Sequence, residues 1–401
     1  MTGVIDLFSP SSYAHGHPTD QYAWLRDNDP VHWHAEPNGP GFWAVTRHED
    51  VKAVGRNAAL FSSSPTIMID DGSAIDLGDH AMMLTMDPPR HTQYRKIVSP
   101  RFLRGAANRM RPGIERLAAD IVDGVTDRDE FDLVEDVAGL LPSYVIAEML
   151  GIPRQDGVEL YRLTETVHAD PASQPEGAGL AAVVEMFGYA NGVWQQKQKH
   201  PGDDLASALV TADVNGDRLD EMDFNLFFLL LIDAGGDTTR NLVAGGMDTL
   251  FKHPDQRAQL SADLGLLPTA IEEMLRWTSP VIYMRRTATT DTELGGQRIT
   301  AGQKVVMYYG AANRDPRAFA EPDRFDISRM PNDHLAFGGG GPHFCLGSHV
   351  ARIEIDAMFR ELLSRLPDLE KVGETEWLPS TFISGPKHIR VRRGASRRAR
   401  T

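Results

Sequence analysis

A single cysteine stands among 401 residues, so the chain closes no internal disulfide. Long apolar runs are also missing. The longest, Leu226 to Ile232, is closed by Asp233 and is too short to cross a bilayer. The start, Met1-Thr-Gly-Val-Ile-Asp6, has neither the basic leader nor the apolar core of a signal peptide. These absences together predict a reducing, cytoplasmic setting with no membrane anchor. Excess positive charge is lacking too: a net charge of −15 argues against a general nucleic-acid binder. No Ser/Gly-rich or Pro-rich linker and no internal repeat divides the chain, which is read as one large domain over residues 1–393. Arg390, Arg392, Arg393, Arg397, Arg398 and Arg400 make a basic end, and residues 394–401 are expected to be a disordered tail.

The spacing of apolar residues is mostly helical from about 92 to 367. Prolines at 112, 142, 153, 171, 175, 201, 254 and 280 are expected to mark turns or helix starts. Strand-like segments are confined to Phe42–Val45, to 294–306 and to the C-terminal region. The balance is a mainly α chain with small β-sheets, without the regular strand–helix alternation of a doubly wound fold.

The cysteine lies in Phe337-Gly-Gly-Gly-Gly-Pro-His343-Phe344-Cys345-Leu-Gly347, followed by Val350, Ile353, Ala357 and Met358 at helical spacing. A lone cysteine is ordinarily a small buried hydrophobe, and a glycine run is ordinarily a loop. At a helix start, however, unpaired amides and the helix dipole lower a thiol pKa and suit a thiolate to bind iron. Glycines 338–341 and 347 let the backbone press against something large and flat, such as a haem.

Between Asp220 and Pro254 the pattern predicts one helix of roughly thirty residues. Its middle, Ala234-Gly-Gly-Asp237-Thr238-Thr239, has poor helix propensity at a core position. A buried carboxylate is costly unless paired, and threonine bonds back to the carbonyl one turn earlier. Leu230, Ala234 and Thr238, at i, i+4 and i+8, share a face, and small residues at 234–236 are expected to admit a flat cofactor. An acid beside an alcohol can relay protons to dioxygen under reduction; alone, the pair reads first as capping or packing, and beside Cys345 the relay is the favoured reading.

Glu273 and Arg276 stand at i, i+3, and Arg324 in Phe319-Ala-Glu-Pro322-Asp-Arg324-Phe325 is placed to complete a Glu–Arg–Arg cluster. His91 and Arg95 share a helical face after Met86-Asp-Pro-Pro. In this order and spacing, and together with Trp43–Val51 and Asn313-Arg-Asp-Pro316, these motifs resemble the cytochrome P450 family over nearly the whole chain. The cysteine loop is similar to that of bacterial members that hydroxylate sterols and branched lipids. It departs from the family in length, because Phe337 precedes the cysteine by eight positions where the family's aromatic residue usually precedes it by seven.

The resemblance implies the family's triangular helical fold, with haem b between the central helix and the cysteine loop. It implies Cys345 as iron ligand, with Phe337 and Gly347 against the cofactor. His91, Arg95, Arg286 (beside Arg285) and His343 would meet the propionates. Asp237 and Thr238 would guide protons, and Glu273, Arg276 and Arg324 would brace the segment before the loop. The implied activity is a monooxygenase that uses dioxygen to hydroxylate a hydrophobic sterol, terpenoid, branched lipid or polyketide-like molecule. Met82, Met83, Leu230, Ala234, Ile282 and Phe382 are candidate pocket residues, although apolar residues equally fill core. The segment 168–179 is a candidate lid. No stretch remains for a flavin or nicotinamide domain, so a ferredoxin and its reductase are expected, docking near Lys96, Arg101 and Arg352. Peroxide-driven peroxygenase chemistry and a non-catalytic haem-binding recruitment or sensor module stay open. A cysteine hydrolase or transferase lacks a third orienting group.

Overall fold

Residues Phe224 to Leu250 are apolar on nearly every side, and a helix of that kind must lie inside a protein. In the computed structural model, which describes residues 5–73, 77–169, 174–214 and 216–394, they form the 32-residue helix Glu221–Lys252. Asp220 caps it, accepting from the Asp223 N–H at 2.9 Å. Helices Leu140–Leu150, Arg154–His168, Ala178–Lys199, Leu267–Thr278 and Ser348–Arg365 pack around it. The architecture is mainly α with small β-sheets, as the sequence predicts.

Helix Ser348–Arg365 buries Val350, Ile353, Ala357 and Met358 and lies along Arg104–Thr126. Pro112 corrects one expectation, because it sits inside Arg104–Thr126 instead of marking a turn. Burial of Ile114, Leu117, Ile121 and Val125 on one face outweighs the ~3 kcal/mol cost of an interior proline. Arg111 adds a 3.0 Å ion pair to Asp356 on the neighbouring helix. Pro254, by contrast, opens its helix at the first position.

The largest sheet has five strands in the order Val31–His34, Phe42–Val45, Lys304–Tyr308, Tyr283–Ala288 and Phe61–Ser62. Arg286 lies on the fourth, paired in register with Val305. At the C-terminus Arg390, Arg392 and Arg393 belong to a strand instead of a tail, and Arg392 pairs with Glu370 at 3.0 Å. Residues 395–401 of the expected tail, and 170–173 of the expected lid, lie outside the described residues.

Glu273 is completely buried, so its charge survives only if its oxygens are fully engaged. Arg276 Nε and Nη2 donate to it at 2.7 and 2.8 Å. Arg329 Nε, Asn332 Nδ2 and the Asp326 N–H add bonds of 3.0, 3.1 and 3.0 Å. The second arginine of the cluster is therefore Arg329, and the assignment of Arg324 is corrected. Arg324 is exposed, pairs with Glu321 at 3.2 Å, and offers the cluster only its backbone carbonyl, bound by Arg276 and Arg329. Asn313 continues the brace: its carbonyl accepts from Arg276 and its side chain accepts the Leu335 N–H at 2.7 Å, two residues before Phe337.

Removing one member of such a buried network leaves its partners charged and unpaired. Glu273→Gln should lower unfolding free energy by about 3–5 kcal/mol in urea titrations. Arg324→Ala should stay within about 0.5 kcal/mol of the parent, as exposed pairs do.

Candidate functional site

One internal cavity of about 260 Å³ gathers most of the chemistry-bearing residues, with Cys345, Phe337, Gly347, His91, Arg95, Arg286, His343, Asp237 and Thr238 all in its wall. The cysteine loop reaches it through a tight backbone path. The Cys345 N–H donates to the Phe337 carbonyl at 2.9 Å, and Gly338, Gly340 and Gly341 have φ of +92°, +95° and +79°. All three conformations disfavour a side chain. The additional residue in the loop is accommodated against helix His48–Arg56, where a Cβ at Gly341 would stand 2.4 Å from the Gly55 carbonyl oxygen. Phe337 is held beneath the Arg352 guanidinium, 4.5 Å from its ring centre.

Cys345 departs from the sequence expectation in one respect. Burial pushes its thiol pKa up, although hydrogen bonding to Gly347 and Ser348 and the nearby Arg95 and Arg352 act the other way. Desolvation exceeds the helix-start effect, and the charge of a bound iron would supply the remaining stabilisation of a thiolate.

The polar edge of the cavity is rich in cationic and hydrogen-bonding side chains. Arg95 and Arg286 bind only backbone carbonyls, of Phe344 at 2.6 Å and of Arg285 at 2.8 Å, and neither forms an ion pair among the described residues. Arg286, not its neighbour, is the cavity residue, since Arg285 turns away to Asp71 and the Met68 carbonyl. His91 and His343 lie against each other with ring centres 4.1 Å apart and planes tilted by 36°. Burial, followed by the field of nearby arginines, lowers their pKa values to about 4 and about 3. His343 Nε2 is 3.0 Å from Ser63 Oγ, whereas His91 Nδ1 is buried with no hydrogen-bond partner. Two uncommitted guanidiniums and an orphaned imidazole nitrogen fit the two propionates of a haem.

On the central helix, Ala234 and Thr238 face the cavity, and Thr238 Oγ1 donates back to the Ala234 carbonyl at 3.3 Å. Gly235 joins them in the cavity wall, and both adjoining glycines also admit neighbouring helices: a Cβ on Gly235 would meet Ile146 at 3.2 Å and one on Gly236 would meet the Tyr161 ring at 2.7 Å. Asp237, 5% exposed, accepts from Tyr161 Oη at 3.0 Å and Asn241 Nδ2 at 3.3 Å.

Of the predicted pocket residues, Met83, Leu230, Ala234 and Phe382 line the cavity. Met82 and Ile282 do not. Met82 packs against the main core and Ile282 is wholly buried in a second one; their neighbours Met83 and Val281 point inward instead. Three further residues were not found from sequence. Glu354 lies nine positions after the cysteine, lines the cavity at 4% exposure and hydrogen-bonds Thr239. Tyr161 and Tyr309 are distant in sequence, and only the fold brings them here. For Glu354 an acid inside an apolar helical stripe was the available signal.

Comparison with known proteins agrees with this geometry. The family model for cytochrome P450 matches residues 182–367. The methyl-branched lipid omega-hydroxylase of Mycobacterium tuberculosis is 39% identical over 385 residues, covering 92% of this chain and 90% of the relative. The steroid C26-monooxygenase of Rhodococcus jostii is 37% identical over 399 residues, covering 96% and 84%. Among solved structures, a Mycobacterium marinum cytochrome P450 in complex with pseudoionone superposes with a TM-score of 0.92 at 39% identity, covering 97% of this chain and 98% of that one.

Glu354 carries a pH signature. Burial raises its pKa from 4.5 to about 7, so between those values the folded chain holds a proton that the unfolded chain has released. The stability it confers is full below 4.5 and is lost as pH rises through about 7. In urea unfolding at stepped pH, Glu354→Gln should flatten that decline, gaining about 2–3 kcal/mol over the parent at the alkaline end.

Proposed function

Since this chain belongs to the cytochrome P450 family and is a haem b monooxygenase, we propose that it hydroxylates a methyl-branched lipid or a steroid, drawing electrons from a separate ferredoxin and its reductase. The observation that carries the reading is a single cavity whose wall holds the cysteine, the uncommitted cations and the acid–alcohol pair, with apolar residues closing the rest.

Haem b, when bound, supplies dioxygen activation at a thiolate-ligated iron. Cys345 would ligate the iron, and Arg95, Arg286, His91 and His343 would hold the propionates. The site therefore fixes the cofactor at both its centre and its edge. Asp237 holds a proton position at the cavity wall, and the Thr238 hydroxyl beside it can pass a proton inward while its own hydrogen turns from the Ala234 carbonyl. A peroxide-driven enzyme or a sensor module has no need of that pair. Met83, Leu84, Leu230, Val281, Phe382 and Ile383 present an apolar surface that excludes water and orients a substrate by shape.

Residues 1–393 are read as the monooxygenase domain, and the lone thiol suits a cytoplasmic, reducing setting. No helix among the described residues is long and apolar enough to cross a membrane. For the electron carrier, exposed Lys96 is a better docking contact than Arg352, which is bound in bidentate fashion by Glu272 at 2.6 and 2.7 Å. Arg101 is shared with Asp203 at 3.1 Å.

Three outcomes check the proposal. Cys345→His should abolish the thiolate-type absorbance of the reduced carbon monoxide complex. Thr238→Ala should lower product formation about 10- to 100-fold while reductant consumption continues and peroxide accumulates. A methyl-branched fatty acid, the steroid testosterone or pseudoionone should shift the haem spin state; no response from all three would sink the substrate assignment.

A further inference from the structure

Behind Asp237, away from the proton's destination, lies a cluster that the mechanism above leaves unused. Three carboxylates, Glu135, Glu165 and Asp237, surround one guanidinium, Arg240, which is 1% exposed. Arg240 Nη2 reaches Glu165 at 3.0 Å and Glu135 at 3.3 Å, and Nη1 lies 3.9 Å from Asp237. Between two of these acids stands the Tyr161 hydroxyl, 3.0 Å from Asp237 Oδ1 and 3.2 Å from Glu165 Oε1.

A phenol has one hydrogen to donate. Two ionised acceptors at hydrogen-bond distance therefore leave one contact without a proton, and the arrangement is complete only when one carboxyl is protonated. Burial raises the pKa of Glu165, against the opposing pull of Arg240 and with the support of Glu135 and Asp237. The cluster also spans the required distance: Asp237 is in the cavity wall, whereas the Glu165 side chain is 29% exposed. Gly236 makes it possible, since a methyl group there would stand 2.7 Å from the Tyr161 ring and hold the hydroxyl off.

We propose that Glu165 and Tyr161 form the outer half of a proton path that reloads Asp237 from solvent, a role that rests on reading Asp237 and Thr238 as the proton-delivering pair. In each passage Glu165 takes one proton from water or buffer acid. Its Oε–H bond breaks as a bond to Tyr161 Oη forms, and the Tyr161 O–H bond breaks as one forms to Asp237 Oδ1. Asp237 then releases one proton to the cavity. Tyrosine begins and ends as the neutral phenol, one proton enters for each that leaves, and no electron moves. The electrons of the overall reaction come from the carrier protein. Tyrosinate takes no part, because burial and the adjoining Asp237 raise the Tyr161 pKa well above its ordinary value. Arg240 and Asn241 hold the acids in register and exchange no proton.

Tyr161→Phe keeps the ring against Gly236 and beside Arg240, and Glu165→Gln keeps the shape of the side chain, so both are mild substitutions. In the haem-loaded enzyme under dioxygen with pseudoionone present, each should slow reductant oxidation about tenfold and raise its solvent deuterium isotope effect about twofold. With hydrogen peroxide as oxidant, which brings its own protons, both should stay within about twofold of the parent. Infrared difference spectra across pH, which need no turnover, should show a protonated-carboxyl band in the parent that Glu165→Gln removes and Tyr161→Phe displaces. An unchanged isotope effect in Tyr161→Phe, or a parent spectrum identical to that of Glu165→Gln, overturns the path. Asp237→Asn separates the two levels. If it raises the isotope effect while the outer variants do not, only the path fails; if it too has no effect, the reading of the acid–alcohol pair fails.

Discussion

The structure depends on a buried carboxylate that cannot be left unsatisfied. Glu273 has no access to water; it binds Arg276 on its own helix and gathers Arg329, Asn332 and the Asp326 amide from a stretch of chain with little regular structure of its own. Through Asn313 the same network fixes Leu335, and hence the approach to Phe337 and Cys345. A loop built largely of glycine has high conformational entropy, so its geometry has to be imposed from outside. The charge cluster imposes it at one end and helix Ser348–Arg365 at the other.

The site combines two kinds of burial. Arg286 is buried and Arg95 partly buried, each with backbone carbonyls as its hydrogen-bond partners, so a dianionic edge placed there would be bound by charge as well as by shape. Burial likewise disfavours the Cys345 thiolate, which a bound cation would stabilise. A cofactor supplying both charges would add its binding free energy to the stability of the fold.

What could be read from the sequence followed from spacing along single elements. The cysteine loop, the Asp237–Thr238 pair and the long central helix are local patterns, and each occupies the predicted place. Arg324 failed because Arg329 offers the same side chain five positions later, and only the fold decides which of the two turns inward. Met82 and Ile282 failed by one residue: Met82 precedes the 3-10 turn Met83–Thr85, and Ile282 lies between the Val281 bridge and the strand Tyr283–Ala288. Tyr161 was out of reach because its partner, Asp237, is separated from it by 76 residues and an entire helix. Pro112 shows the reverse case, in which a strong local rule yields to burial along a helix pair.

The contact between the lengthened cysteine loop and helix His48–Arg56 has a consequence for modular exchange. Gly339 approaches the Lys52 backbone, Gly341 approaches that of Gly55, and the Arg56 Nε binds the Gly339 carbonyl at 3.1 Å. Loop and helix are therefore a matched pair separated by almost three hundred positions. A side chain added at Gly339 or Gly341 would collide with the backbone of that helix, and a loop shortened by one glycine would leave a gap beside it. The two segments would have to be exchanged together in any chimaera.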